Sequence, residues 1–185
     1  TTSGVGHYLD KYFLTNAYVQ AVRDRKDSMR LFLTDFINSS QLKSLKILNL
    51  ACGSSRDVFE LLSENSFAEK EVGLTLLDQD RDALEFSSKR LKKIKNNINI
   101  KYVVSDFVKF LKLELSAKKN TYNMIYSIGL ADYLPDSILG LMFKFGFELL
   151  DNGGQLVIAH KNTFHFKSPI SDWGADWKFI ERTKA

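Results

Sequence analysis

The strongest constraint on this chain is the run Lys46-Ile47-Leu48-Asn49-Leu50-Ala51, which breaks at Cys52-Gly53-Ser54-Ser55 and resumes at Arg56-Asp57. A strand with apolar residues on both faces must be covered on both, as in a parallel sheet with helices above and below. The small residues of the break let a helix begin close to the strand's end, with its N-terminal amides open to a ligand. Many folds place a lone glycine turn after a strand, so its meaning depends on what the other strands carry.

Upstream, residues 1–24 are polar with scattered aromatics (Tyr8, Tyr12, Phe13, Tyr18), whereas Met29, Phe32, Leu33, Phe36 and Ile37 keep the spacing of an amphipathic helix. Tyr18, Arg23 and Arg25 read either as cap residues over a site or as ordinary surface and packing residues. Downstream, Val58, Leu61 and Leu62 mark a short helix face, and Val72–Asp78 is a second buried strand ending on an acid. A helix is expected from Asp80 to about Ile94, a third strand over Ile100–Val104, and a helix through Phe107, Phe110 and Leu111. Tyr122–Ile128 reads as a fourth strand, followed by a loop and a helix carrying Ile138, Met142, Phe145 and Leu149. Asp151-Asn152-Gly153-Gly154 reads as a turn that launches a fifth strand, Gln155–His160. Strands alternating with helices through right-handed crossovers build a doubly wound, mostly parallel α/β sheet.

With 185 residues, 44% of them hydrophobic, the chain is long enough for a single domain, 1–185, with a sizeable core. Within it, 1–43 is the helical cap, 44–160 the core and 161–185 a partial C-terminal segment. The net charge of +4 owes much to Lys89–Lys95, which reads as a solvated helix face around an apolar stripe rather than a nucleic-acid patch. The single cysteine, Cys52, rules out an intrachain disulfide framework and a cysteine-based zinc site. It suits a reducing compartment, so a cytoplasmic protein with no metal is expected. No apolar run approaches the length of a membrane span.

In a doubly wound sheet the ligand lies beyond the carboxyl ends of the strands. Those ends are Ala51-Cys52-Gly53, Asp78-Gln79, Ser105-Asp106-Phe107 and Ser127-Ile128-Gly129. Asp78 follows Gly53 at roughly the 20-residue offset of a carboxylate that binds ribose hydroxyls. A dinucleotide fingerprint would need a third glycine where Arg56 stands, and no P-loop motif is present. The set suits a nucleoside without a pyrophosphate: turn backbone for a small zwitterion, Asp78 for the ribose, Asp106 for an adenine amino group, Phe107 for the base face.

These residues resemble class I S-adenosylmethionine-dependent methyltransferases over roughly residues 44 to 160. Leu48–Gly53 looks like that family's first motif, Leu77-Asp78 its second, Ser105–Phe107 its third, and Tyr122–Gly129 with Asp151–Gly154 its fourth and fifth. The resemblance implies a Rossmann-like fold with strand order 3-2-1-4-5 and S-adenosyl-L-methionine as cofactor, held by Ala51, Cys52, Gly53, Asp78, Gln79, Ser105, Asp106, Phe107, Ser127, Ile128 and Gly129. The chain departs from the family in having Asn49 where an acid often stands, and Ala51 and Ser55 where glycines often stand. A narrower resemblance, carried by Asn49–Gly53 with Arg56-Asp57, by Tyr126–Asp136 and by Asp176–Thr183, is to bacterial methyltransferases linked to the extracellular-factor signal, 3-hydroxypalmitic acid methyl ester. It implies a small-molecule or lipid-like acceptor.

A carboxylate acceptor is already ionised at neutral pH, whereas a hydroxyl or amine benefits from a general base. Asp132, Tyr133, His160 and Asn162 are the candidates near the mouth. His160 is also readable as a strand-end histidine bonded to backbone, Asp132 as a capping acid and Tyr133 as a core aromatic. Cys52 reads as a packing residue of the turn rather than a nucleophile. The alternatives are an RNA or other nucleic-acid methyltransferase, for which Lys46, Asp132, Lys161 and Glu181 only loosely mimic a known Lys-Asp-Lys-Glu set, and a non-catalytic cofactor-binding domain. Because family members usually add a helix and two more strands, the stretch after His160, with Trp173, Trp177 and Phe179, is expected to leave a truncated sheet edge.

Overall fold

A computed structural model describes residues 3–15, 17–117, 121–160, 179–180 and 182. Five parallel strands form one sheet in the order β3-β2-β1-β4-β5, as expected. They are β1 (Ser44–Leu50), β2 (Glu71–Asp78), β3 (Asn99–Val104), β4 (Tyr122–Ile128) and β5 (Leu150–Ala159). The chain winds outward from β1 to β3, then returns to place β4 on the other side of β1. That reversal opens the crevice at the carboxyl ends of β1 and β4.

Successive residues of β1 point to opposite faces, and each face meets its own helices. Leu45 and Ile47 pack with Met29, Leu33 and Ile37 of α2 (Ala17–Ser39), with Val58, Leu61 and Leu62 of α3 (Arg56–Glu64), and with Leu84 and Leu91 of α4 (Arg81–Leu91). Leu48 and Leu50 pack with Phe107, Phe110 and Leu111 of α5 (Phe107–Ala117) and with Met142 of α6 (Asp136–Glu148). The double-faced apolar run thus becomes the central strand, sandwiched by two cores.

Three boundaries differ from expectation. The helix read from the spacing of Met29–Ile37 begins well before it: α2 reaches back to Ala17, and α1 (Val5–Thr15) precedes it within the polar stretch 1–24. The helix expected to run to Ile94 stops at Leu91, because Lys93 and Ile94 donate to carbonyls three residues back and Asn96 takes over the next backbone groups. Finally, 151–154 is no boundary: β5 runs through it, and its pairing jumps from Tyr122↔Leu150 to Met124↔Gln155. Gly153 has φ +77°, and a Cβ on Gly154 would sit 2.9 Å from the carbonyls of both Asp151 and Tyr122, so the paired glycines make a bulge inside the strand. Beyond Phe179, Ile180 and Arg182, the C-terminal segment and its expected sheet edge lie outside the described residues, as do Lys161, Asn162, Trp173, Trp177, Glu181 and the side chain of Tyr18.

Candidate functional site

The turn after β1 is wound in an unusual way. Ala51, Gly53 and Ser55 all have positive φ, at 56°, 52° and 47°. For the two residues that carry a Cβ this conformation costs on the order of 1 kcal/mol each, strain that persists where a ligand loop is over-determined by its surroundings. The surroundings are visible: Cys52 donates its N–H to the Leu77 carbonyl (3.0 Å), and Gly53 donates to Asp78 Oδ2 (2.7 Å). Asp78 Oδ1 accepts from the Asp80 N–H (2.9 Å), so the acid at the end of β2 fixes both the turn and the start of the next loop.

Two cavities flank this turn and share Ala51 in their walls. The first, about 370 Å³, is lined by Ala51, Asp78, Gln79, Ser105, Asp106, Phe107, Leu130, Tyr133 and Leu134. It brings together the ends of β2 and β3 as expected. Asp106 precedes α5 and accepts the Lys109 N–H through Oδ1 (2.9 Å), which holds the carboxylate in place as a helix cap. The cavity offers two carboxylates to hydroxyl or amine donors beside an aromatic side chain.

The second cavity, about 490 Å³, lies between the turn, the start of α3, Ile128 and residues Val22–Asp27 of α2, excluding Asp24. Behind it runs a buried relay in which Asn49 Nδ2 donates to the Tyr126 hydroxyl (2.8 Å) and that hydroxyl donates to Asp57 Oδ2 (2.8 Å). Burial pushes the Asp57 carboxyl above its ordinary range, and burial followed by the neighbouring Asp57 charge raises the Tyr126 phenol. Cys52 Sγ lies 3.7 Å from the Gly53 carbonyl, and burial pushes its thiol up to about 12.

The remaining candidates meet around the 3-10 turn Leu130–Asp132 that follows β4. Asp132, 1% exposed, pairs with Arg25 of α2 through Oδ2 (2.7 Å), and its Oδ1 lies 3.6 Å from His160 Nε2. Gly129 has φ +93°, and a Cβ there would stand 2.8 Å from the Arg25 guanidinium, so the close approach needs glycine. The Ile180 N–H donates to the Asp132 carbonyl (2.8 Å), and Tyr133 stacks at a tilt on Phe179 at 5.5 Å. Arg182 donates to the carbonyls of Ala131 and Leu134 and to Asp136.

Ile128, Ala51 and Cys52 therefore line the larger cavity, and Tyr133 the smaller one. Gly53 fixes the turn between them. Ser127 is fully buried and donates to the Leu50 carbonyl (2.7 Å), which makes it a tie between β4 and β1 rather than a wall residue. Gly129 donates its N–H to the Ala159 carbonyl (3.2 Å), and His160 stands beside Asp132 outside both walls. The sequence reading assigned no role to Tyr126 or Asp57. A phenol in the middle of a buried strand, between Ile125 and Ser127, is the available signal, since such a hydroxyl needs a partner.

The family described as a methyltransferase domain matches residues 41–180. No curated protein matches. Among solved structures, the chain is similar to a SAM-dependent methyltransferase from Agrobacterium tumefaciens, with 19% identity, 74% of this chain and 45% of that one covered, and a TM-score of 0.56. It is also similar to two SAM-dependent methyltransferases crystallised with S-adenosyl-L-homocysteine. The one from Geobacter sulfurreducens shows 12% identity, 73% and 47% coverage and a TM-score of 0.51. The one from Thiobacillus denitrificans shows 12% identity, 70% and 46% coverage and a TM-score of 0.50. The chain thus spans under half the length of these structures, and the likeness is one of fold. The family match, however, takes in every strand of the sheet, the strained turn and the acids at the ends of β2 and β3, and so the chain belongs to the methyltransferase domain family.

Proposed function

We propose that this protein binds S-adenosyl-L-methionine and transfers its methyl group to an oxygen of a small-molecule or lipid-like acceptor. The observation that carries the reading is the left-handed turn at 51–55, pinned by Asp78 between two cavities. The residues present fit the cofactor. In the smaller cavity Asp78 meets the ribose hydroxyls, with Gln79 beside it, while Asp106 and Ser105 meet the adenine edge and Phe107 its face. Ala51, Cys52 and Gly53 pass the ligand across the turn toward Ile128 and Gly129, and Ser127 holds β4 against β1 beneath them. When bound, the cofactor supplies an electrophilic methyl on a sulfonium.

The protein's own part is to position the acceptor oxygen in line and to exclude water from it. Tyr133, with Phe179 packed on it, closes the side of the smaller cavity nearest the loop after β4, and the acceptor approaches the methyl past that loop. His160, whose Nε2 lies 3.6 Å from Asp132 Oδ1, is the group assigned to take the proton of a hydroxyl acceptor, with Asp132 beside it; a carboxylate acceptor needs no base. The resemblance to the extracellular-factor group favours a small or lipid-like acceptor, and the single cysteine, Cys52, favours a reducing compartment, the cytoplasm. Among the described residues no helix is long and apolar enough to cross a membrane.

Titration calorimetry with S-adenosyl-L-methionine tests the cofactor: saturable binding is expected, and no heat at millimolar cofactor sinks the reading. Radiolabelled methyl transfer to 3-hydroxypalmitic acid, with RNA as the competing substrate, tests the acceptor. Label in the RNA alone would overturn the lipid-like assignment.

A further inference from the structure

The loop that follows β4 is where two stretches far apart in the sequence meet. Its side chains belong to the site: Leu130, Tyr133 and Leu134 line the smaller cavity, and Asp132 stands beside His160. Its backbone is held by the tail. A 3-10 turn as short as Leu130–Asp132 leaves its last carbonyls without a helical partner. The Leu130 carbonyl accepts from the Tyr133 N–H, and the carbonyls that follow are taken from outside the turn. Ile180 donates its N–H to the Asp132 carbonyl (2.8 Å), while Arg182 donates through Nη1 to the Ala131 carbonyl and through Nη2 to the Leu134 carbonyl. Phe179, stacked on Tyr133 at 5.5 Å, backs the same loop.

The arms of Arg182 do not weigh equally. Its Nε (3.0 Å) and Nη2 (2.8 Å) also reach Asp136 Oδ1, but that side chain is 89% exposed, so solvent screens the ion pair. The bonds to the carbonyls join a guanidinium that is only 20% exposed to groups the turn itself leaves unpaired, and they carry the contact. A planar fork reaches all these acceptors at once, whereas a lysine ammonium on its flexible stem keeps only part of them. From the other end of the chain Arg25 takes the Asp132 carboxylate (2.7 Å). Arg25 thus fixes the side chain, and the tail fixes the backbone that bears it.

We propose that Arg182 is a positioning residue for methyl transfer: by holding the carbonyls of Ala131 and Leu134 it sets where Tyr133 and Asp132 stand relative to the acceptor oxygen, without touching cofactor or acceptor. The inference rests on the methyl-transfer reading given above and deepens it. Arg182 lies beyond the stretch matched by the family, 41–180, so the pin of this clamp stands outside the family's own segment. The acids assigned to the cofactor sit on other elements, Asp78 at the end of β2 and Asp106 just before α5, and Arg182 bonds to neither. Losing Arg182 therefore frees the loop and leaves those acids in place. A shift of about 1 Å near the reacting atoms is enough to cost on the order of a hundredfold in rate.

The test is Arg182→Met in the full chain. Its kcat for methyl transfer to 3-hydroxypalmitic acid is expected to fall about tenfold or more, while its Kd for S-adenosyl-L-homocysteine by calorimetry stays within about threefold of wild type. Arg182→Lys should recover part of kcat, and Asp136→Asn should keep it within about twofold. With S-adenosyl-L-homocysteine bound, the N–H groups of Asp132 and Tyr133, which donate to the carbonyls of Gly129 and Leu130, should exchange at least about tenfold faster in Arg182→Met, with β1 and β2 unchanged. A variant that keeps wild-type kcat, or that loses cofactor binding and kcat by the same factor, overturns the inference. If wild type binds S-adenosyl-L-homocysteine but does not methylate 3-hydroxypalmitic acid, the acceptor reading falls and exchange decides: unchanged protection at Asp132 and Tyr133 overturns the clamp, and faster exchange upholds it. If wild type does not bind S-adenosyl-L-homocysteine, the cofactor reading falls and this one with it. Arg182 belongs to neither core, and Arg182→Lys serves where Arg182→Met fails to fold.

Discussion

Cys52 sits in the middle of the strained turn, yet its chemistry is quiet. With the thiol at about 12, the reactive thiolate is on the order of one part in 100,000 at pH 7. Iodoacetamide at pH 7.5 should label the folded protein at least about a hundredfold more slowly than the urea-unfolded chain; comparable rates would mean the turn opens readily. Asp57 gives a residue-scale prediction of pH dependence. Its folded pKa is raised above the ordinary 3.8 by burial, so just above that value the folded state holds a proton that the unfolded chain has released. Its contribution to stability is therefore full below 3.8 and is lost as pH rises from there through the folded pKa. Asp57→Asn has no such slope. Urea denaturation from pH 4 to 7.5 should show the variant gaining on wild type as pH rises, and a gap that stays constant would remove Asp57 as a strained acid.

The strands and most helices were legible because their apolar residues repeat locally, on both faces of β1 and at helical spacing in α4 and α6. What escaped depends on partners far along the chain. Asp-Asn-Gly-Gly carries turn chemistry wherever it stands, and only the register of β4 against β5 makes it a bulge. Asp57 and Tyr126 are each unremarkable until the pairing of β4 with β1 brings the Tyr126 hydroxyl to Asp57 at the start of α3. The acids at 78 and 106 were legible as strand ends, whereas the joining of α2 to the loop after β4 left no local trace. That joint supports a prediction at the scale of these elements. Gly129→Ala must adopt φ near +93° and displace a guanidinium that Asp132 holds, costing about 2 kcal/mol or more by denaturant midpoint. In an Arg25→Ala background the steric part vanishes, so the penalty should fall to about 1 kcal/mol; simple additivity would show that the contact is not tight.

For the whole molecule, a ligand bound across both cavities bridges β1, β2, β3, α2 and α3, and stabilises only the assembled state. At a hundred times its dissociation constant it contributes about 2.7 kcal/mol, which for a chain of this size raises the melting temperature by roughly 5–10 °C. S-adenosyl-L-homocysteine in a thermal melt should give that shift with one transition. Two transitions, only one of them moved, would mean that α2 and the sheet do not melt together.

The bond from Arg25 to Asp132 also sets an order in time. At ordinary rates of synthesis Arg25 leaves the ribosome roughly 5–20 s before Asp132 does, since 107 residues separate them. The ion pairs from Lys26 to Glu60 and from Arg30 to Glu64 become available much sooner, after 34 residues, so α2 can rest against α3 while the second half of the sheet is still being made. Arg182 arrives last and grips the loop that Arg25 has been waiting for. The larger cavity's outer wall is thus synthesised before the sheet it covers and locked only after β4 and the loop that follows it have been made.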